Sequence, residues 1–242
     1  PWKEGDCYRA RRIERLKTVL MESGLFSKAE SRLPEAPDEN GVVPVTISVQ
    51  ERAHRSIKGG LSYYTDEGVG VTLGWEHRNF LGQAEKLSAQ LTASQIKQSL
   101  VFDFTKPYFL RKDQSLSLNT TFKREDSDAF EELGVEVGAA LNRKFGSHVT
   151  GSAGVNFSIS QIEDSFGKET YGLVSFPTSL VFDNRDDSLN PEKGWLASLK
   201  VKPVLDAFGQ SDPFTKIEMG ARTYLKPLDS AAFIIALRAD TG

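Results

Sequence analysis

Long apolar runs are missing from these 242 residues. No stretch approaches the ~18 apolar side chains that a membrane-spanning helix needs. Pro1-Trp2-Lys3-Glu4 has no apolar core either, so no signal peptide is read at the start. Cysteine is nearly absent: Cys7 stands alone, which excludes an internal disulfide framework and reads as a tolerated thiol rather than a reactive one. The three histidines, His54, His77 and His148, lie far apart without ligand spacing, so no metal site is expected. The formal net charge of −3 offers no basic field for nucleic acid. No Ser/His/acid grouping suggests catalysis, and nothing calls for a cofactor. Two methionines against twenty glycines and fifteen phenylalanines fit strands better than helices.

What is present is alternation. Gly59 to Tyr64 runs into Thr65-Asp66-Glu67-Gly68, a tight-turn composition. Val69, Val71, Leu73 and Trp75 alternate with Gly70, Thr72, Gly74 and Glu76 until Asn79-Phe80-Leu81-Gly82 turns the chain again. Leu87, Ala89, Leu91 and Ala93 then alternate without error against Ser88, Gln90, Thr92 and Ser94. Period two demands a sheet with one apolar and one polar face.

Ahead of this lies a different pattern. Asp6 is placed to cap a helix starting at Cys7 or Tyr8, with Ile13, Leu16, Val19 and Leu20 at helical spacing and Gly24 past its end. Its basic residues read as a solvated face. A short strand within Leu25–Leu33, a polar loop from Pro34 to Gly41 and an alternating strand from Val43 to Gln50 complete a small α+β module.

Beyond Ser94, strands are expected at Ser99–Tyr108, Ser115–Lys123, Leu133–Leu141, Val149–Ile159, Thr170–Phe182, Gly194–Leu205, Phe214–Leu225 and Ala231–Ala239. With the first three they make about eleven, many near the ~9–11 residues of a tilted bilayer-spanning strand. Aromatic residues gather near strand ends (Tyr63, Trp75, Tyr108, Tyr171, Trp195, Tyr224), as interfacial girdles do. The fold class is therefore mainly β: a partial antiparallel transmembrane β-barrel over 54–242, preceded by the α+β module over 1–53. Asn79–Gly82 and Phe145–Ser147 read as short turns, Glu125–Glu131 and Glu163–Lys168 as longer acidic loops facing outside. The same parity puts Asp183–Gly194 and Lys226–Ser230 on the periplasmic side. In Asp183–Gly194 the acids lack the spacing of a calcium loop, and Asn190-Pro191 and Lys193-Gly194 are turn chemistry.

Three stretches carry a family resemblance. Gly60-x-x-Tyr63-x-Thr65-Asp66-x-Gly68, followed by the Trp75 strand and Asn79-x-x-Gly82-x-x-Glu85-x-Leu87, resembles the first hairpins of the BamA/TamA (bacterial surface antigen) superfamily. Asp183-x-Arg185-Asp186-x-x-x-Asn190-Pro191-x-x-Gly194 is similar to a turn common in its barrels. Gly5-Asp6-x-Tyr8 through Gly24-Leu25-Phe26-x-x-Ala29 resembles the second half of a POTRA domain. Within the superfamily the TamA branch is the most similar. The resemblance implies an outer-membrane factor that receives unfolded clients in the periplasm and inserts or secretes them, autotransporters among them. It implies a TamB-like inner-membrane-anchored partner and contact with outer-membrane lipid, with a passive pore or two-partner secretion transporter as the alternative. It also implies about sixteen strands, with a lumenal loop and closing strands beyond the eleventh.

One strand is expected to work through its backbone. The first barrel strand must pair with the last, the one seam that no hairpin fixes. Lys58, Gly59, Gly60, Leu61, Ser62 and Tyr63 form this expected lateral gate, weakened by two glycines and able to template a client strand. A bend or close packing is the competing explanation of the glycine pair.

Overall fold

The computed structural model describes residues 7, 9–34, 41–65, 67–227 and 233–242. Asp6 as helix cap, most of the loop expected at 34–41, Asp66 of the first turn, and residues 228–232 of the last turn and strand lie outside the described residues.

Helix α1 (Ala10–Glu22) begins later than Cys7 or Tyr8; its N-cap is Arg9, in extended backbone and without a side-chain cap. Ile13 is its buried anchor, and Gly24 follows at φ +72°, a backbone that suits glycine at a helix end. Strands β1 (Phe26–Arg32) and β2 (Thr46–Glu51) pair antiparallel, and α1 packs on β1.

A single antiparallel sheet follows. In chain order it contains β3 (Arg55–Tyr64), β4 (Gly68–His77), β5 (Lys86–Ala93), β6 (Lys97–Lys106), β7 (Gln114–Asp126), β8 (Phe130–Phe145) and β9 (Val149–Asp164). Then come β10 (Gly167–Ser175), β11 (Thr178–Asp183), β12 (Gly194–Asp206), β13 (Phe214–Leu225) and β14 (Ile235–Thr241). Each strand lies beside the next, and β10 and β11 share one position between β9 and β12. The expected single strand Thr170–Phe182 is thus two, for a local reason. Pro177 has no N–H to give the ladder. The register nevertheless runs through the gap, because Pro177 C=O accepts the Gly154 N–H (2.9 Å) and Phe176 N–H donates to Pro203 C=O (3.0 Å).

The register sorts side chains as the alternation demands. One row across the sheet joins Gly59, Leu73, Leu91, Leu100, Phe122, Val135 and Ile159. The row one residue away joins Lys58, Gly74, Gln90, Val101, Thr121, Glu136 and Ser158. On this polar face side chains converge: a Cβ on Gly138 would lie 2.3 Å from Asn119 Oδ1 and 2.4 Å from Asn156 Oδ1. Glycine there makes room for two amides.

Loop lengths follow the expectation at Phe145–Ser147, which is short, but not at the two acidic stretches. β7 and β8 run through the acidic stretch and leave only 127–129 between them, and β9 and β10 leave only 165–166. In the second stretch the charges pair along the ladder, Lys168–Glu163 at 3.3 Å, and the first is flanked by Lys123–Glu132 at 2.6 Å. The connections 78–85, 107–113 and 184–193 lie at the other edge, where β3 begins, while 207–213 lies at the same edge as 127–129. The α1 module sits toward that edge, with Glu22 3.7 Å from Lys144 at the end of β8.

Candidate functional site: a free strand edge and two buttressed turns

β3 pairs with β4 along its whole length, from Arg55↔His77 to Tyr64↔Gly68, and its other edge has no strand partner among the described residues. Its side chains are open: Ile57 is 83% exposed, Leu61 84% and Tyr63 71%. Lys58, Gly59, Gly60, Leu61, Ser62 and Tyr63 all lie in this strand. Gly59 and Gly60 are not forced by local sterics. A Cβ at Gly60 would meet nothing within 4 Å, one at Gly59 only Leu73 Cδ2 at 3.9 Å, and neither residue has the left-handed backbone.

The base of this hairpin is held by polar contacts. The Arg78 guanidinium donates to Ala53 C=O (2.9 Å) and Ser56 Oγ (2.8 Å) and pairs with Glu76 (2.8 Å), while Arg78 N–H donates to His54 C=O (2.8 Å). One side chain thus ties the start of β3 to the β4–β5 turn. Within that turn Ala84, at φ +64°, donates its N–H to Asn79 Oδ1 (2.9 Å), and Gln83 N–H donates to Glu85 Oε2 (2.8 Å). Glu85 is 1% exposed, and Lys106 Nζ lies 3.3 Å from its other oxygen. Burial alone would raise the Glu85 pKa; the Gln83 and Glu85 N–H groups and the Lys106 ammonium outweigh it and hold the carboxyl below its ordinary value. Asn79 and Glu85 belong to the hairpin motif of the sequence, but the roles of Arg78 and Lys106 carried no spacing signal.

The turn 184–193 is built from acids that accept backbone N–H groups. The Arg185 guanidinium grips Asp183 with two bonds, each 2.8 Å, and reaches Ser188 C=O at 3.3 Å. Asp186 Oδ1 accepts from the N–H groups of Asp187 (2.9 Å), Glu192 (3.0 Å) and Lys193 (3.2 Å). Asp187 Oδ1 accepts from Leu189 (2.7 Å) and Asn190 (2.8 Å). These bonds, that from Lys193 first for Asp186 and that from Asn190 first for Asp187, lower both carboxyl pKa values. Gly194 stands at φ +104°, where a Cβ would lie 2.6 Å from Asn184 O and 2.8 Å from Arg185 Cα. Below the turn, Phe182 and Trp195 stack at 4.3 Å between ring centroids. Asp183, Arg185, Asp186, Asn190, Pro191 and Gly194 are therefore one folded turn, with Asp187 and Asn184 as members the motif did not single out. The turn does not adjoin the β3 edge; β4 to β9 lie between.

A long antiparallel meander with one apolar and one polar face, and a free first strand, is a stretch of outer-membrane-type β-barrel wall. The chain belongs to the Omp85 superfamily, whose domain matches residues 79–242. Proteins of this superfamily mediate outer-membrane protein assembly or secretion and are not enzymes. Among solved structures, the chain is similar to BamA from Haemophilus ducreyi lacking POTRA domains 1–3, with a TM-score of 0.74 and 17% identity over 98% of this chain and 50% of that one. It is also similar to CdiB from Acinetobacter baumannii, with a TM-score of 0.62 and 14% identity over 99% of this chain and 47% of that one. The chain thus spans about half the length of each structure it matches.

Proposed function

We propose that the protein to which this chain belongs is an outer-membrane assembly and translocation factor of the TamA type. In this reading residues 1–53 are part of a periplasmic POTRA domain that receives unfolded clients, autotransporters among them. A TamB-like partner anchored in the inner membrane delivers those clients. Residues 54–242 are barrel wall, and Lys58–Tyr63 is the gate strand onto which a client strand adds. The turn at Asp183–Gly194 then faces the periplasm.

The observation that carries the reading is the β3 edge. Among the described residues it has no strand partner on one side over its full length, and a strand edge in lipid must find a partner. Gly59 and Gly60 have room for side chains they do not have. Close packing within this sheet does not explain them; a seam kept weak by missing side-chain contacts does. The CdiB likeness supports a second reading, a secretion-type transporter, in which the same wall conducts a client rather than inserting it.

Site-specific photo-crosslinking in the complete protein tests the proposal. A probe at Leu61 or Tyr63 is expected to capture assembling clients, while a probe at Val135, on the same face in mid-wall, is not. Equal capture at both positions contradicts the gate.

A further inference from the structure

We propose that the polar face of β12–β14 is a docking stripe for an extended, acidic polypeptide segment. Two pairs of cations face each other directly across the ladder on this face: Lys202 opposite Lys216, and Arg222 opposite Arg238. Like charges in direct cross-strand register destabilise a sheet. Of these four cations the neighbouring acids relieve only Arg238. Glu218 is taken by Lys200 at 3.0 Å and Asp240 by Arg238, and no ion pair engages Lys202, Lys216 or Arg222 among the described residues. The stripe carries five cations, Lys200, Lys202, Lys216, Arg222 and Arg238, against three acids, Asp206, Glu218 and Asp240.

Shape selects the ligand. Lys216 and Arg222 are six residues apart on β13, so the two opposed pairs are separated by about 20 Å at ~3.4 Å per residue. Between them on the same face lie the Lys200–Glu218 pair and Gly220, whose missing Cβ leaves the space that Ser198 Oγ and Asp240 Oδ1 occupy, each 2.9 Å from where it would stand. Cations spread over that length fit an extended chain bearing several carboxylates better than a compact anion. Their place on the polar face, away from the apolar rows Ala197–Ala221–Ala239 and Leu199–Met219–Thr241, favours polypeptide over lipid. The proposal rests on reading this face as the lumenal side of a client-handling barrel.

The test measures peptide binding, so it stands apart from any assay of client assembly. The complete protein in detergent is titrated with fluorescent twelve-residue peptides alternating Ser with Glu, with Lys or with Asn. The Glu peptide is expected to bind with an affinity that falls steeply with salt, and the other two at least tenfold more weakly. Lys216→Gln with Arg222→Gln should weaken the Glu peptide about tenfold, and Lys216→Arg should keep it bound. Thermal unfolding of the double variant should be unchanged or higher, since it removes opposed charges; this separates lost binding from lost fold. Equal binding of the Glu and Asn peptides overturns the proposal, as does undiminished binding to the double variant. Inorganic phosphate, or nanodiscs of anionic lipid, displacing the Glu peptide at equal charge concentration would show general anion binding and also overturn it.

Discussion

Lys106 and Glu85 meet 3.3 Å apart at the edge of the sheet where β3 begins, and the carboxylate is almost wholly out of water. A buried carboxylate persists as an ion only when its oxygens are occupied, and here the Gln83 N–H fills the second one. Because the folded pKa lies below the ordinary value, the group contributes stability above the usual carboxylate range. That contribution is lost as pH falls through the lowered pKa. Unfolding of the refolded barrel protein as a function of pH is expected to show this acid loss. Glu85→Gln should flatten it and lower stability at neutral pH, where Lys106 loses its counter-charge. An unchanged pH profile in Glu85→Gln would assign the acid sensitivity elsewhere.

Leu91 and Gln90 test the two faces. Leu91 shares its row with Leu73 and Leu100, Gln90 its row with Gly74 and Val101. Leu91→Arg should cost roughly 2–4 kcal/mol of stability in lipid, as a charge near the midplane does, whereas Gln90→Arg should cost little. Denaturant titration in liposomes measures both. Equal costs would mean that the apolar face does not meet lipid.

Two glycines are expected to behave oppositely. Gly194→Ala meets Asn184 and Arg185 backbone at a left-handed φ and should destabilise by about 1–3 kcal/mol. Gly60→Ala meets open space and should stabilise β3 by roughly 0.4–1 kcal/mol through the unfolded chain. If the gate reading holds, Gly60→Ala also slows client assembly while raising the melting temperature, a combination that a purely structural glycine does not produce.

Sidedness can be labelled. A cysteine at Ser147 lies in the turn beside the Glu22–Lys144 contact, and one at Asp128 lies at the opposite edge. In intact cells Asp128→Cys is expected to react with an impermeant thiol reagent, and Ser147→Cys only after the outer membrane is permeabilised. The reverse pattern inverts the barrel. The natural Cys7 is exposed and must be replaced first.

The alternation carried most of the sheet. Val69–Glu76 falls in β4 and Leu87–Ala93 in β5, with Ser94 just past its end, because side-chain polarity and pleat share a period of two. Strand ends were less readable. Glu125–Glu131 and Glu163–Lys168 looked like loops because charge usually marks solvent, yet the ladder runs into both, past the Lys123–Glu132 pair in the first and through Lys168–Glu163 in the second. Pro177 broke a strand without breaking its register, which depends on what stands opposite rather than on the proline itself. In the turn at 184–193, composition foretold a turn, but not that Asp186 and Asp187 would organise it through backbone N–H groups from residues up to seven positions away. Arg78 and Glu85 show the same limit: their partners Ala53, Ser56 and Lys106 are brought near only by the completed sheet.

The central claim is that the β3 edge works by opening. The direct measurement is client assembly by the complete protein with cysteines at Gly60 and in the strand that closes the barrel, compared before and after oxidation and again after reduction. The account predicts folded protein throughout, assembly lost when the disulfide forms, and assembly restored when it is reduced. Full assembly with the seam verifiably locked would contradict it.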